Sequence, residues 1–152
     1  MTHSIRPAVP DDAPDLVRLI NGLATYERLA HESRPDEVVL REQLAADAQP
    51  RIEAVVAEVD GGAVGFALFY PTYSTFLTNF GLYLEDLFVE PEWRGHGIGR
   101  DLFGHVVELA RSRNCQRLEW SVLNWNEPAI QFYRQHGAVE LSDWTTMRLS
   151  PA

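Results

Sequence analysis

Lysine is absent from all 152 residues, and the 13 basic side chains are all arginine. A phosphate loop ending in Gly-Lys-Ser/Thr is therefore excluded, because that loop needs its lysine to reach the β- and γ-phosphates. The arginine bias accompanies abundant Ala, Pro and Asp, as expected of a GC-rich coding sequence. Cysteine is nearly absent too. Cys115 stands alone, so no internal disulfide can form, and it reads as a small buried hydrophobe rather than a nucleophile. Positive charge is scarce: 22 acidic residues against 13 basic ones give a net charge of −9. That balance opposes a nucleic-acid backbone, whose binding needs a basic face. The longest apolar stretch, residues 63–70, is about half a membrane span. Residues 1–7 hold no apolar core, so no signal peptide is expected, and the protein is expected in the cytoplasm. The five histidines lack metal-ligand spacing, and no metal is expected.

What is present suits one globular domain spanning 1–152. Apolar residues make up 45% and charged residues 23%, without repeats, linkers or low-complexity tracts. Residues 5–9 read as a short strand. Pro10-Asp11-Asp12-Ala13-Pro14-Asp15 then reads as a helix start, with acids at the positive end and proline in the first turn. Leu16, Leu19, Ile20 and Leu23 continue it at helical spacing. A second, shorter helix begins at Pro35-Asp36-Glu37. Residues 52–59 and 63–73 are strands joined by a hairpin at Asp60-Gly61-Gly62. Residues 82–89 form another strand, ended by Pro91, which has no amide hydrogen for a sheet. Residues 97–113 carry an apolar stripe of Ile98, Leu102, Val106, Leu109 and Ala110 on one helix. A strand over 118–123, a helix over 126–136 ended by Gly137, and one or two strands over 139–149 complete the chain. The predicted order is β-α-α-β-β-β-α-β-α-β, an α/β fold with a mixed sheet.

The chemistry concentrates in Val89-Glu90-Pro91-Glu92-Trp93-Arg94-Gly95-His96-Gly97-Ile98-Gly99. A strand ends, three alternate glycines turn the chain, and an amphipathic helix begins. Glycines let backbone approach a ligand closely. The helix start offers unpaired amides and about half a unit of positive charge, which suits a pyrophosphate. Arg94 adds a charge. A dinucleotide fold wants Gly-x-Gly-x-x-Gly, yet Arg100 stands where the last glycine belongs. Arg94, Gly97 and Gly99 instead match Arg/Gln-x-x-Gly-x-Gly/Ala, which resembles the acetyl-CoA loop of the GNAT acetyltransferases. Asn126-Glu127-Pro128-Ala129, with Tyr133 four residues after Ala129, resembles that superfamily's later motif. Seven residues are two helical turns, so Asn126 and Tyr133 can face one groove.

A narrower resemblance covers nearly the whole chain. Ile5-Arg6-Pro7-Ala8, Leu23-Ala24-Thr25-Tyr26-Glu27, Val64-Gly65-Phe66-Ala67, Leu82-Tyr83-Leu84-Glu85-Asp86 and Trp125-Asn126-Glu127-Pro128 are similar to blocks of the diamine (spermidine/spermine) and thialysine acetyltransferases. The resemblance implies acetyl-CoA as co-substrate, a small cationic amine as acceptor, and a homodimer with the C-terminal region in its interface. It implies that Leu87, Phe88 and Val89 present strand backbone to the acetyl group and pantetheine. Arg94, Gly95, His96, Gly97, Ile98, Gly99 and Arg100 would hold the pyrophosphate, His96 through its amide. Asn126 would bind the pantetheine arm. Tyr26, Glu27, Glu85 and Asp86 would line the amine site.

The implied catalysts are Glu85, taking a proton from the amine through one water, and Tyr133, giving one to the leaving thiolate. A strand amide near Phe88 would face the developing oxyanion. Glu85 and Asp86 are neighbours on a strand, so both reach one substrate only where the strand is bulged or twisted. Two departures bear on the acceptor. Ser74 stands where polyamine enzymes carry an acid, and the tail after Asp143 differs from the usual family ending. Both favour smaller amines over spermine. An antibiotic amine or protein N-terminus as acceptor, and a non-catalytic acyl-CoA sensor, remain the alternative readings.

Overall fold

The computed structural model describes residues 2–152, which fall into two compact units, one ending at Ser121 and the other comprising Val122–Ala152. The first unit is built on a five-stranded sheet of order β1-β2-β3-β4-β5. Its strands are β1 (Ser4–Pro7), β2 (Glu53–Val59), β3 (Gly62–Ser74), β4 (Asn79–Val89) and β5 (Leu118–Glu119). The first four pair antiparallel, and β5 runs parallel to β4.

The β2–β3 hairpin turns through Asp60 at φ 51° and Gly61 at φ 79°. These left-handed residues match the twist of the flanking strands, as the Asp-Gly-Gly signal predicts. Helix α1 (Ala13–Tyr26) follows a short 3-10 turn at Pro10–Asp12. Asp12 fixes that junction: its carboxylate accepts from the Val9 amide at 2.7 Å and from both terminal nitrogens of Arg6 at 2.8 Å. Helix α2 (Glu37–Gln43) is capped by Asp36, which accepts from the Val39 amide at 3.0 Å.

Helices α1 and α2 cover one face of the sheet. Leu16, Leu19, Leu23, Leu40 and Leu44 pack there with Ala54, Val56, Phe66, Leu68 and Phe88. Helix α3 (Ile98–Ser112) covers the other face with Ile98, Leu102, Val106 and Ala110. Gly65 permits its approach. A Cβ there would lie 2.8 Å from the Phe88 carbonyl oxygen and 3.3 Å from Leu102 Cδ1. Among the described residues no helix is long and apolar enough to cross a membrane.

The second unit holds helix α4 (Glu127–Gln135). Two expectations need correction here. The predicted strand over 118–123 contracts to Leu118–Glu119, which pair with Leu82 and Tyr83 of β4. The one or two strands predicted over 139–149, and so the last β of the predicted order, do not form among the described residues. Val139, Leu141, Trp144, Met147 and Leu149 stay exposed. Strand propensity is realised only against a neighbouring strand, and this segment has no ladder partner.

Candidate active site

The glycine turn forms as its sequence demands. Gly95 and Gly97 sit at φ 82° and 80°, where other residues are strained. Gly97 caps α3 without any side-chain cap, leaving the first-turn amides turned outward at the positive helix end. The Arg100 guanidinium lies over this turn, with Nη2 2.7 Å from where a Gly97 Cβ would stand. Asp101 accepts from Arg100 Nε at 3.2 Å, and His3 Nε2 lies 2.6 Å from the other Asp101 oxygen. Those bonds, the His3 bond foremost, hold the Asp101 carboxyl below its ordinary range. The His96 ring turns back to the Trp93 carbonyl, with Nδ1 at 3.2 Å, so this residue offers its backbone to a ligand. Ile98 is buried in the core, and Gly99 follows it in the first turn. Free amides, an open glycine surface and a guanidinium together fit a pyrophosphate.

Arg94 has a different setting. Its Nε donates to the Val89 carbonyl at 2.9 Å. Its guanidinium carbon stands 4.7 Å from the centre of the Tyr26 ring and 5.5 Å from that of Phe88. The residue thus ties the turn to the end of β4 and to the last residue of α1.

Strand β4 leaves one edge open. β5 pairs only with Leu82 and Tyr83, and no other strand among the described residues covers residues 84–89 on that side. The ladder also fixes which amides face it. Glu90 donates to the Val64 carbonyl at 2.9 Å, so Val64 and Glu90 are a hydrogen-bonded pair. Two residues along, Phe66 and Phe88 are the next such pair. The Phe88 amide therefore points to β3, whereas those of Leu87 and Val89 point to the open edge. Arg94 meets the Val89 carbonyl on that edge.

The acids meet through a bulge. β3–β4 pairing runs from Leu68 opposite Asp86 directly to Phe69 opposite Leu84, which leaves Glu85 as the extra residue. Side chains alternate along a regular strand, so without the bulge Glu85 and Asp86 would point apart. With it, Asp86 shares the face of Phe88 while Glu85 shares that of Tyr83. Both pairs lie on the α1 side, where Glu27 follows the end of α1. Glu85 accepts from the Tyr70 hydroxyl at 2.9 Å, and the Tyr70 and Tyr83 rings stack 5.4 Å apart. Burial raises the Asp86 carboxyl to about 7, helped by the charges of Glu85 and Glu27. Burial, then the charge of Glu85, raises Glu27 as well. Three carboxylates share one patch, and their like charges oppose one another. No group of three His, Cys, Asp or Glu among the described residues is arranged to hold a metal ion.

This crowding has a sign in stability. An unfolded Asp ionises near 3.8, the folded Asp86 near 7. Between those values the folded state binds the extra proton, so stability falls as pH rises through that window and is lowest above it. Asp86→Asn, always neutral, escapes the loss. Thermal melts should place Asp86→Asn on the order of 5 °C above the unsubstituted protein at pH 8 and close to it at pH 4. Parallel curves at both pH values would contradict the burial of this charge.

In the second unit, Asn126 caps α4, its Oδ1 accepting from the Ala129 amide at 3.3 Å. Tyr133 lies seven residues on along the same helix, its ring 5.4 Å from that of Phe132. Tyr70 and Tyr83 were not foreseen from the sequence. Each sits in an apolar strand and reads there as packing; only the register across the β3–β4 hairpin shows that they face the acids.

The sequence profile of the acetyltransferase (GNAT) family matches residues 16–138. Thialysine N-epsilon-acetyltransferase of Mus musculus is 35% identical over 155 residues, covering 95% of this chain and 90% of that protein. Spermidine/spermine N(1)-acetyltransferase-like protein 1 of Homo sapiens is 32% identical over 91% of this chain and 21% of its own length. Among solved structures, an integron cassette protein of V. cholerae superposes with a TM-score of 0.80 at 26% identity, covering 99% of this chain and 93% of that one.

Proposed function

This chain belongs to the GNAT family of acetyltransferases and is an acetyl-CoA-dependent N-acetyltransferase, and from that premise we propose that it acetylates the primary amine of a small cation, with Glu85 as base and Tyr133 as acid. The observation that carries the acceptor class is the bulge, which turns Glu85 and Asp86 to one face beside Glu27. Clustered carboxylates, with the proton affinity of Asp86 and Glu27 raised, are costly without a cation, and a cationic amine offsets that cost. The thialysine and spermidine/spermine names of two relatives agree with this choice.

Acetyl-CoA supplies an activated acyl carbon. The pyrophosphate is held by amides at the start of α3 and by Arg100. Backbone on the open edge of β4 would hold the pantetheine arm, and Asn126 is the further residue that would bind it. An alkylammonium ionises near ~10, so the incoming amine must shed a proton. Glu85 takes it through one water. The free amine then attacks the acetyl carbon, and the Leu87 or Val89 amide faces the negative charge that grows on the carbonyl oxygen. The carbon–sulfur bond breaks, the Tyr133 hydroxyl protonates the departing sulfur, and the second proton shed by the nitrogen as the amide forms passes through solvent to restore the phenol. Residues 1–152 act as one catalytic domain in this reading; the family match crosses from the first unit into the second.

The acceptor is short. Ser74, in place of a further acid, accepts from the Leu77 amide at 3.2 Å and closes the β3–β4 turn. A panel of acceptors, followed by CoA release and product mass, tests this. A short diamine or lysine analogue should exceed spermine in kcat/KM by about tenfold, the worth of one lost ion pair. Glu85→Gln should lower kcat for the best acceptor by about 100-fold or more, in the range of one general base. No turnover of any cationic amine, or an aminoglycoside or peptide N-terminus as best acceptor, would refute the proposal.

A further inference from the structure

Resting on that reading of Glu85, we infer that Tyr70 is a positioning residue of this enzyme, its hydroxyl fixing one Glu85 oxygen so that the other faces the amine or its water. The need for such a partner follows from the bulge. Glu85 is the residue of β4 that opposes nothing on β3. The cross-strand ladder that aims the side chains on either side of it leaves this one free. Glu85 is also exposed, so neighbouring side chains do not wall it in. The bond that does aim it comes from Tyr70, whose hydroxyl stands 2.9 Å from Oε1.

Tyr70 is itself held firmly. It lies opposite Tyr83 in the register, their rings stack 5.4 Å apart at 30°, and the Tyr83 hydroxyl lies 2.9 Å from Ser121 Oγ. The phenol is a one-way donor here. Burial, together with the Glu85 carboxylate it serves, pushes its ionisation well above the ordinary tyrosine value, so it keeps its proton at any working pH. A neutral donor is the apt choice beside three acids. An arginine at this place would pair with Glu85 and compete with the cationic substrate, whereas a phenol orients the carboxylate and leaves its charge available. One oxygen is thus held and one is left for chemistry, which is the arrangement a base needs to reach a single proton repeatedly.

The test is a double-mutant cycle with the full chain, acetyl-CoA and the best amine of the panel. Tyr70→Phe keeps the ring and its stack and removes only the hydroxyl. It should lower kcat about tenfold, leave the KM for acetyl-CoA unchanged and leave the melting temperature within a few degrees. In the Glu85→Ala background the same substitution should cost nothing further, because the group it positions is gone. Tyr70→Phe at full kcat, or equal losses in both backgrounds, would each overturn the role of Tyr70 alone. Full activity of Glu85→Ala would instead overturn the assignment of Glu85, and the role of Tyr70 with it.

Discussion

Tyr133→Phe should lower kcat by 100- to 1,000-fold while acetyl-CoA binds as before. The size follows from what a positioned general acid contributes, about 10²–10⁴ in rate. A thiol ionises near ~8.5 and a phenol near ~10, so proton transfer between them is close to balanced and a hydroxyl suits the task. Phenylalanine fills the same volume on α4 and retains the contact with Phe132, so the helix and the Asn126 cap at its start should persist. Calorimetric titration with acetyl-CoA measures the binding half of the expectation, and initial rates at saturating amine measure the other. A rate within threefold of normal would remove Tyr133 from the chemistry.

Gly97→Val should raise the KM for acetyl-CoA about 100-fold, roughly 2.7 kcal/mol. Two costs combine. At φ 80° a residue with a Cβ is strained by about 1–2 kcal/mol, more when β-branched. The added carbon would also stand 2.7 Å from Arg100 Nη2, forcing away the guanidinium that covers the turn. Gly104 provides the contrast. It lies within α3, and a Cβ there meets nothing within 4 Å. Gly104→Ala should therefore keep the KM for acetyl-CoA and stabilise the protein by about 0.5–1 kcal/mol. Equal effects at both glycines would show that the turn is not where the phosphates bind.

The two halves of the site differ in how far the sequence reveals them. The glycine turn is local: Arg94, Gly97 and Gly99 lie within six residues, and backbone geometry at such spacing is decided by the residues themselves. The Asp60-Gly61 hairpin is legible for the same reason. The bulge is not local. Nothing in Tyr83-Leu84-Glu85-Asp86 distinguishes a bulged strand from a regular one; β3 decides it by pairing with Leu84 and Asp86 and skipping Glu85. Tyr70 depends on that same pairing. Arg94 shows a third case. Its charge pointed to phosphate, but the neighbouring Val89 carbonyl and the Tyr26 and Phe88 rings engage it first. Residues 139–149 show the converse, an apolar segment that predicts a strand and pairs with none.

The open edge of β4 carries a liability of its own. A row of unpaired backbone groups on an apolar strand is a template for the sheets of other molecules, and a segment such as Leu84, Leu87, Phe88 and Val89 invites aggregation. Glu85 and Asp86 interrupt that run. Glu85 in particular adds a charge that repels a second copy at the edge. The carboxylates proposed to recognise an amine would thus also disfavour pairing of that edge with another sheet.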